Sequence, residues 1–316
     1  MNSAVVLGSE GQDGRLLAAL LKRKGYRTLG IGRTAVSADG LDWSRPVDIT
    51  RPDEVAALVT ALRPDEIYHL AAIHHSSQEV HAEDLAAFRR MYEVNFFSLL
   101  NCLDAVRTAS PATRLFFAAS SHVFGSPAGE VQDERTPLRP ESIYAMTKAD
   151  GLLACRLYRE RHGLFASTGI LYTHESAGRD EKFLSMKIAR AALRIKAGEQ
   201  RELVLGSLAA RVDWGAAADT VDAMHRILAA PAAGEFVVAT GVAHTVGDFA
   251  RIAFETVGLD WRRHVREDPS LLTRATPVRI GDPRRLREAT GWSAATGFEA
   301  MVSGLVRAAA AAMAVR

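Results

Sequence analysis

The sequence predicts a doubly wound parallel α/β sheet with a smaller carboxy-terminal lobe, and three observations carry that expectation. Short apolar runs alternate with longer amphipathic stretches through the first half of the chain. The first apolar run passes directly into three closely spaced glycines, Gly8, Gly11 and Gly14, ahead of an amphipathic stretch. After Tyr172 the alternation weakens. Strand–helix alternation implies parallel pairing with helices on both faces of one sheet, the Rossmann-type arrangement.

Taken in order, Ser3–Leu7 reads as a strand and Arg15–Lys24 as a helix ended by Gly25. Arg27–Ile31 is the second strand, Pro52–Leu62 a helix and Glu66–Leu70 a strand. Leu85–Thr108 reads as one long helix, because Phe88, Met91, Val94, Phe97, Leu100 and Leu103 recur about every third residue. Arg114–Ala118 is a strand, Tyr144–His162 a helix closed by Gly163, and Phe165–Leu171 a strand. Beyond Tyr172 come a helix at Leu184–Ala197, a short strand at Glu202–Leu205, a helix at Val221–Leu228 and a strand at Phe236–Ala239. Helices at Val246–Val257 and Phe298–Ala312 complete the chain, the last read from its alanines as a surface helix.

Composition narrows the function. Over 316 residues, 39 Lys and Arg against 37 Asp and Glu leave a net charge of +2, which argues against a nucleic-acid partner held by a basic face. Hydrophobic residues at 48% and charged residues at 24% exclude wholesale disorder. No apolar run approaches the roughly 18–20 residues of a membrane span. Met1 to Leu7 lacks the basic start and long apolar stretch of a signal peptide, so a soluble cytoplasmic protein without membrane partners is expected. Cys102 and Cys155 are too few for a disulfide framework or a four-ligand zinc site, and no metal is expected.

The glycine run Gly8-Ser9-Glu10-Gly11-Gln12-Asp13-Gly14 has the spacing that permits a tight turn, close approach of a pyrophosphate and close helix packing. The helix amino terminus then faces the phosphates. At the end of the second strand, Arg33 stands where an NAD-binding sheet usually has Asp or Glu for the ribose hydroxyl. Arg33 suits a 2′-phosphate, so NADP is expected over NAD. Asp48 and Ile49 are expected at the end of a third strand, near the adenine. Leu70, Ala71 and Ala72 end the next strand with small residues that leave room for the cofactor backbone.

Tyr144 and Lys148 lie four apart on a predicted helix and so share a face. A tyrosine phenol near its usual value of about 10 is a poor base at neutral pH. A nearby ammonium and an oxidised nicotinamide would favour the phenolate. Ser120 follows the strand Arg114–Ala118 and can share the same substrate hydroxyl. Together Ser120, Tyr144 and Lys148 make an acid–base unit for hydride transfer at a carbinol carbon.

These residues resemble the extended short-chain dehydrogenases/reductases that act on nucleotide sugars, and within them the GDP-mannose 4,6-dehydratase branch. The likeness spans nearly the whole chain. It is carried by Gly8–Gly14 with Gln12 and Asp13, and by Gly169-Ile170-Leu171-Tyr172-Thr173-His174-Glu175-Ser176, where Asn is usual in place of Thr173. Phe183 to Arg190, Asp213-Trp214-Gly215, Ala239-Thr240-Gly241 and Gly281-Asp282-Pro283 are further landmarks. The resemblance implies an NADP-binding domain over residues 1–172 and about 213–243, and a substrate lobe over about 173–212 and 244–316. It places Gly8, Gly11, Gln12, Asp13, Gly14, Arg33, Asp48, Ile49, Leu70, Ala71, Ala72, Tyr144, Lys148, His174 and Arg179 at the cofactor, and Glu175, Lys187, Arg211 and Arg274 at the substrate. The implied reaction oxidises carbon 4 of a GDP-hexose, eliminates water across carbons 5 and 6, and returns the hydride to carbon 6.

The sequence departs from the family at the substrate end. The family's Thr-Ser-Glu after the fourth strand is Ser120-Ser121-His122 here, so His122 replaces the glutamate that removes the carbon 5 proton. Histidine can move that proton near neutral pH. The alternative is a nucleotide-sugar epimerase or 4-keto reductase that has lost the elimination. A non-catalytic NADP-binding regulator is the reading from another class, and the retained Ser120, Tyr144 and Lys148 count against it. Arg211-Val212 stands for the family's Lys-Arg, and Arg274-Ala275-Thr276-Pro277 for its Arg-Pro-Thr-Glu. The loop after Arg33 is shorter than the family's tetramer-forming loop, which predicts a homodimer.

Overall fold

The computed structural model describes residues 1–32, 40–74, 84–271 and 277–314. Seven strands form one parallel sheet in the order Glu235–Val238, Ala166–Leu171, Arg114–Ser120, Glu66–His69, Ser3–Leu7, Arg27–Gly32, Trp43–Pro46. Parallel strands buried on both faces read as continuous apolar runs. Ala4, Val5, Val6 and Leu7 are accordingly all buried. Ser3–Leu7 has Arg27–Gly32 on one side and Glu66–His69 on the other, so the chain's winding reverses there. The crevice outside the carboxyl end of such a strand is where open α/β sheets bind ligands. Gly8, Ala71 and Ser120 all lie along that edge.

Several boundaries differ from the sequence expectation, each for a local reason. The first helix is Gln12–Arg23, starting inside the glycine run where no apolar periodicity marks it. The third strand is Trp43–Pro46, so Asp48 and Ile49 lie past its end. The expected helix Leu85–Thr108 is Leu85–Tyr92, a wide π turn at Glu93–Phe97, then Ser98–Ala109. Such turns recur at functional sites. Here the turn accompanies a fully buried Asn95.

A second core lies apart from the sheet. Helices Leu184–Lys196, Val246–Thr256 and Phe298–Ala314 pack around Trp214 and the strand Leu203–Leu205. The alanine-rich last helix is therefore no surface element: Met301, Val302, Leu305, Val306 and Ala309 are buried in this core. A small sheet, Ala243–Thr245, Arg211–Ala216 and Thr173–Glu175, runs between the two cores. Buried Asp213 ties it down. It accepts hydrogen bonds from Thr240 and Gly241 and from the Gly281 N–H at 3.1 Å. Three of the family landmarks thus meet at one carboxylate, whose role is architectural. No helix among the described residues is long and apolar enough to cross a membrane.

Candidate active site

The glycine turn fits a dinucleotide because side chains cannot be added to it. Gly8 has φ +87°, and a Cβ there would lie 2.8 Å from the Ala71 N. A Cβ at Gly14 would lie 2.6 Å from the Ser9 Cα. The helix Gln12–Arg23 therefore sits hard against the turn, and Gly11 places no capping side chain over its first N–H groups. Such an uncapped amino terminus is the standard phosphate cradle. Ala71 closes on Gly8 as Leu70 and Ala72 flank it, so the small residues allow the close approach. The exposed Asp48 carboxylate accepts from the Thr50 N–H and hydroxyl at 3.0 and 2.7 Å, capping its own turn. The Ile49 carbonyl accepts from Asn101. Arg33 lies outside the described residues. Its neighbour Gly32 is packed by Glu10, whose carboxylate a Cβ at Gly32 would strike.

The start of that helix is latched to the segment after Tyr172. The Gln12 amide donates to the His174 carbonyl at 3.3 Å and accepts from the Ser176 hydroxyl at 2.9 Å. His174 Nε2 meets the Asp13 carboxylate at 2.9 Å. Burial opposes both charges, yet the pair lowers the Asp13 carboxyl and raises the His174 imidazole from their usual values. Arg179 donates to the His174 carbonyl at 2.7 Å, lies 3.4 Å from Glu175 and covers the Phe183 ring at 4.0 Å. Glu175 is buried and accepts from Ser185 at 2.6 Å; burial outweighs these contacts and holds its carboxyl above the usual range. Glu175 therefore orients Arg179. Lys187 stands on the next helix, Leu184–Lys196, partly buried.

The acid–base residues converge from two elements. Ser120 ends its strand, and Ser142 caps the helix Ile143–His162 by accepting from Ala145 N–H at 3.2 Å. That start places Tyr144 and Lys148 one turn apart on the same face. Gly151 lets the helix press onto Phe117, where a Cβ would strike the ring. Lys148 is sunk by this packing to 2% exposure. Its ammonium donates to the Ala118 carbonyl at 2.8 Å and lies 5.8 Å from the Tyr144 ring centre. Burial pulls Lys148 down to about 7 and pushes the Tyr144 phenol up to about 12, against a hydrogen bond with Ser120. Desolvation is the largest influence on both groups. An oxidised nicotinamide bound here would bring positive charge that favours the phenolate.

A cleft of about 200 Å³ adjoins this set, lined among others by Ser121, His122, Glu141, Arg211 and Arg279. His122 is held by its N–H to Ser120 Oγ at 3.3 Å, and its ring stands 6.0 Å from that of Tyr144. The Glu141 carboxylate is engaged by the Ser126 N–H and hydroxyl at 3.0 and 2.9 Å. Arg211 pairs with both oxygens of Glu130 at 3.0 Å. Arg274 lies outside the described residues. Sequence reading missed Arg279, which donates to the Gly125 carbonyl at 2.8 Å, and nothing in its local pattern marks it. It also missed Asn95, for which a polar residue on an apolar helix face was the available signal. His74 was missed as well; its ring is 4.6 Å from that of Tyr144.

An uncapped glycine turn at the sheet's switch point, with serine, tyrosine and lysine further along the same edge, places the molecule among the extended short-chain dehydrogenases/reductases. Solved structures of that fold match it end to end. RMD from Pseudomonas aeruginosa complexed with NADPH superposes with a TM-score of 0.84 at 21% identity, covering 99% of this chain and 100% of that one. The Thermus thermophilus UDP-glucose 4-epimerase complex with NAD gives 0.82 at 23% identity, covering 98% and 99%. The family model described as GDP-mannose 4,6 dehydratase matches residues 5–305, and the chain belongs to that family. It is 35% identical to GDP-mannose 4,6 dehydratase 1 of Arabidopsis thaliana, with 96% of this chain and 88% of that one aligned. It is 32% identical to GDP-mannose 4,6-dehydratase of Sinorhizobium fredii (strain HH103), with 96% and 95% aligned.

Proposed function

We propose that the chain is a nucleotide-sugar 4,6-dehydratase acting on GDP-mannose or a related GDP-sugar and giving a 4-keto-6-deoxy sugar. The observation that carries this is the match of its family across residues 5–305 with Ser120, Tyr144 and Lys148 in contact order at the sheet edge. The fitting cofactor is a nicotinamide dinucleotide, held by Gly8, Gly11, Gln12, Asp13 and Gly14, with His174 and Arg179 behind them. When bound it supplies reversible hydride acceptance at carbon 4 and its return at carbon 6. Tyr144 takes the carbon 4 hydroxyl proton while Ser120 holds the oxygen. His122 removes the carbon 5 proton. Arg211 and Arg279 suit the diphosphate, and Lys187 and Arg274 are proposed as further cations for it. Residues 1–172 with about 213–243 act as the cofactor domain and the remainder as the substrate lobe. The proposed assembly is a cytoplasmic homodimer, from the short loop after Arg33.

Incubation with GDP-mannose and NADP+, followed by mass spectrometry, tests the reading: the product should be one water lighter. An unchanged mass with an inverted carbon favours the epimerase reading, which His122 in place of glutamate supports. NADP is proposed over NAD because Arg33 follows Gly32. The Glu10 carboxylate against Gly32 favours the second reading, NAD, whose ribose hydroxyl it can accept from. Titration with both cofactors decides, and Arg33→Ala should weaken NADP more than NAD.

A further inference from the structure

We propose, resting on the dehydratase reading, that His74 is a second catalytic proton carrier, the acid that protonates the departing carbon 6 oxygen while His122 serves carbon 5. His74 is fixed by its neighbour. The Ile73 N–H donates to buried Asn95 at 2.7 Å, and the Asn95 amide returns a bond to the Ile73 carbonyl at 3.0 Å. The same amide reaches Thr147, one residue before Lys148, at 3.2 Å. The His74 ring stands edge-on to Tyr144 with centres 4.6 Å apart and stacks on Phe183 at 5.8 Å and 21°. The His122 ring is 6.3 Å from it, at 90°. Two imidazoles and a phenol therefore surround one space. Carboxylates around the site are committed, Glu141 to Ser126, Glu175 to Ser185 and Arg179, and Asp13, whose charge is felt at Tyr144, to His174.

Eliminating a hydroxyl β to a ketone needs a base at carbon 5 and an acid at the carbon 6 oxygen. Neutral His122 takes the carbon 5 proton as that bond breaks. The electron pair becomes the carbon 5–carbon 6 π bond, and the carbon 6–oxygen bond breaks. Protonated His74 gives its proton to the leaving oxygen, so water departs and the step is redox-neutral. After hydride return at carbon 6, His122 restores its proton to carbon 5. The proton that Tyr144 took from the carbon 4 hydroxyl replaces the one His74 gave up. One turnover then removes one water from the sugar and leaves the protein unchanged.

The test separates water loss from carbon 5 exchange. In deuterated solvent, His74→Phe keeps a ring against Phe183 and Tyr144 but has no proton to give. Dehydration should fall by about 10²–10⁴-fold. Deuterium should still enter carbon 5, and cofactor binding should be unchanged. His122→Ala should lose both exchange and dehydration. If phenylalanine disturbs cofactor binding, His74→Gln is read by the same two measurements. Dehydration at near the wild-type rate in the His74 variant, or exchange falling in step with it, overturns the assignment. A wild type that never releases water overturns the dehydratase reading instead, and is recognised before any variant is made.

Discussion

The cofactor end and the substrate cleft are built on opposite principles. At the cofactor end, backbone approaches backbone so closely that only one residue type fits: Gly8 against Ala71, Gly14 against Ser9. The groups there are also locked in pairs, Gln12 with Ser176 and Asp13 with His174. In the cleft, side chains from four distant segments line one open space, namely His122, Glu141, Arg211 and Arg279, and the His74 ring stands 6.3 Å from that of His122. Backbone proximity tolerates no substitution, whereas a cleft wall tolerates a histidine for a glutamate if the proton chemistry survives. Under the proposed reading, that is why the chain keeps the glycine turn and carries His122 where the family it resembles has glutamate.

The largest effect should come from the residue that joins the two regions. Tyr144→Phe should cost about 10²–10⁴-fold in turnover while cofactor affinity stays within a few-fold. Retained activity would break the comparison by moving the chemistry off the sheet edge. Lys148 sharpens it through stability. Its folded value of about 7 lies below the free value of 10.5, so the unfolded chain binds more protons between these limits. The unliganded protein should therefore gain stability as pH rises from about 7 toward 10, apart from other groups. Lys148→Met should remove that rise while abolishing activity, and urea titrations across this range check it. A smaller loss, of order 1–3 kcal/mol, is expected for Gly8→Ala, since φ +87° strains any side chain and the Ala71 backbone cannot withdraw. The same change should weaken cofactor binding.

The smallest effect belongs to the Asp13–His174 latch. Asp13 is lowered, so its support is present above its free value of 3.8 and is lost as pH falls through the folded one. His174 is raised, so its support is complete below 6.5 and is lost as pH rises through the folded value. The latch should be strongest between these limits, and a double-mutant cycle with Asp13→Asn and His174→Gln should give a coupling of about 1 kcal/mol near pH 5. A coupling independent of pH would mean the contact is a neutral hydrogen bond.

Much of the sheet was legible because its strands are continuous apolar runs and its glycines are punctuation. Gln12–Arg23 was mistimed because a helix that begins in glycine and polar residues shows no periodicity. The π turn was invisible because Leu85–Thr108 keeps an apolar stripe through it. The last helix was misjudged because alanine is equally at home on a surface and in a tight helix–helix seam, and only the packed lobe distinguishes them.

The sequence by itself determined the parallel sheet, the tight glycine turn and the one-turn spacing of Tyr144 and Lys148, because local sterics and helical periodicity dictate them. The tertiary structure alone decided how that pair is charged, since burial raises the Tyr144 phenol and lowers Lys148 through packing contributed by Phe117 and Gly151. It alone decided that Asp213 is a clamp and that His74 stands beside Tyr144. Dielectric surroundings and contacts between residues 70 positions apart depend on where the whole chain folds, which no local pattern encodes.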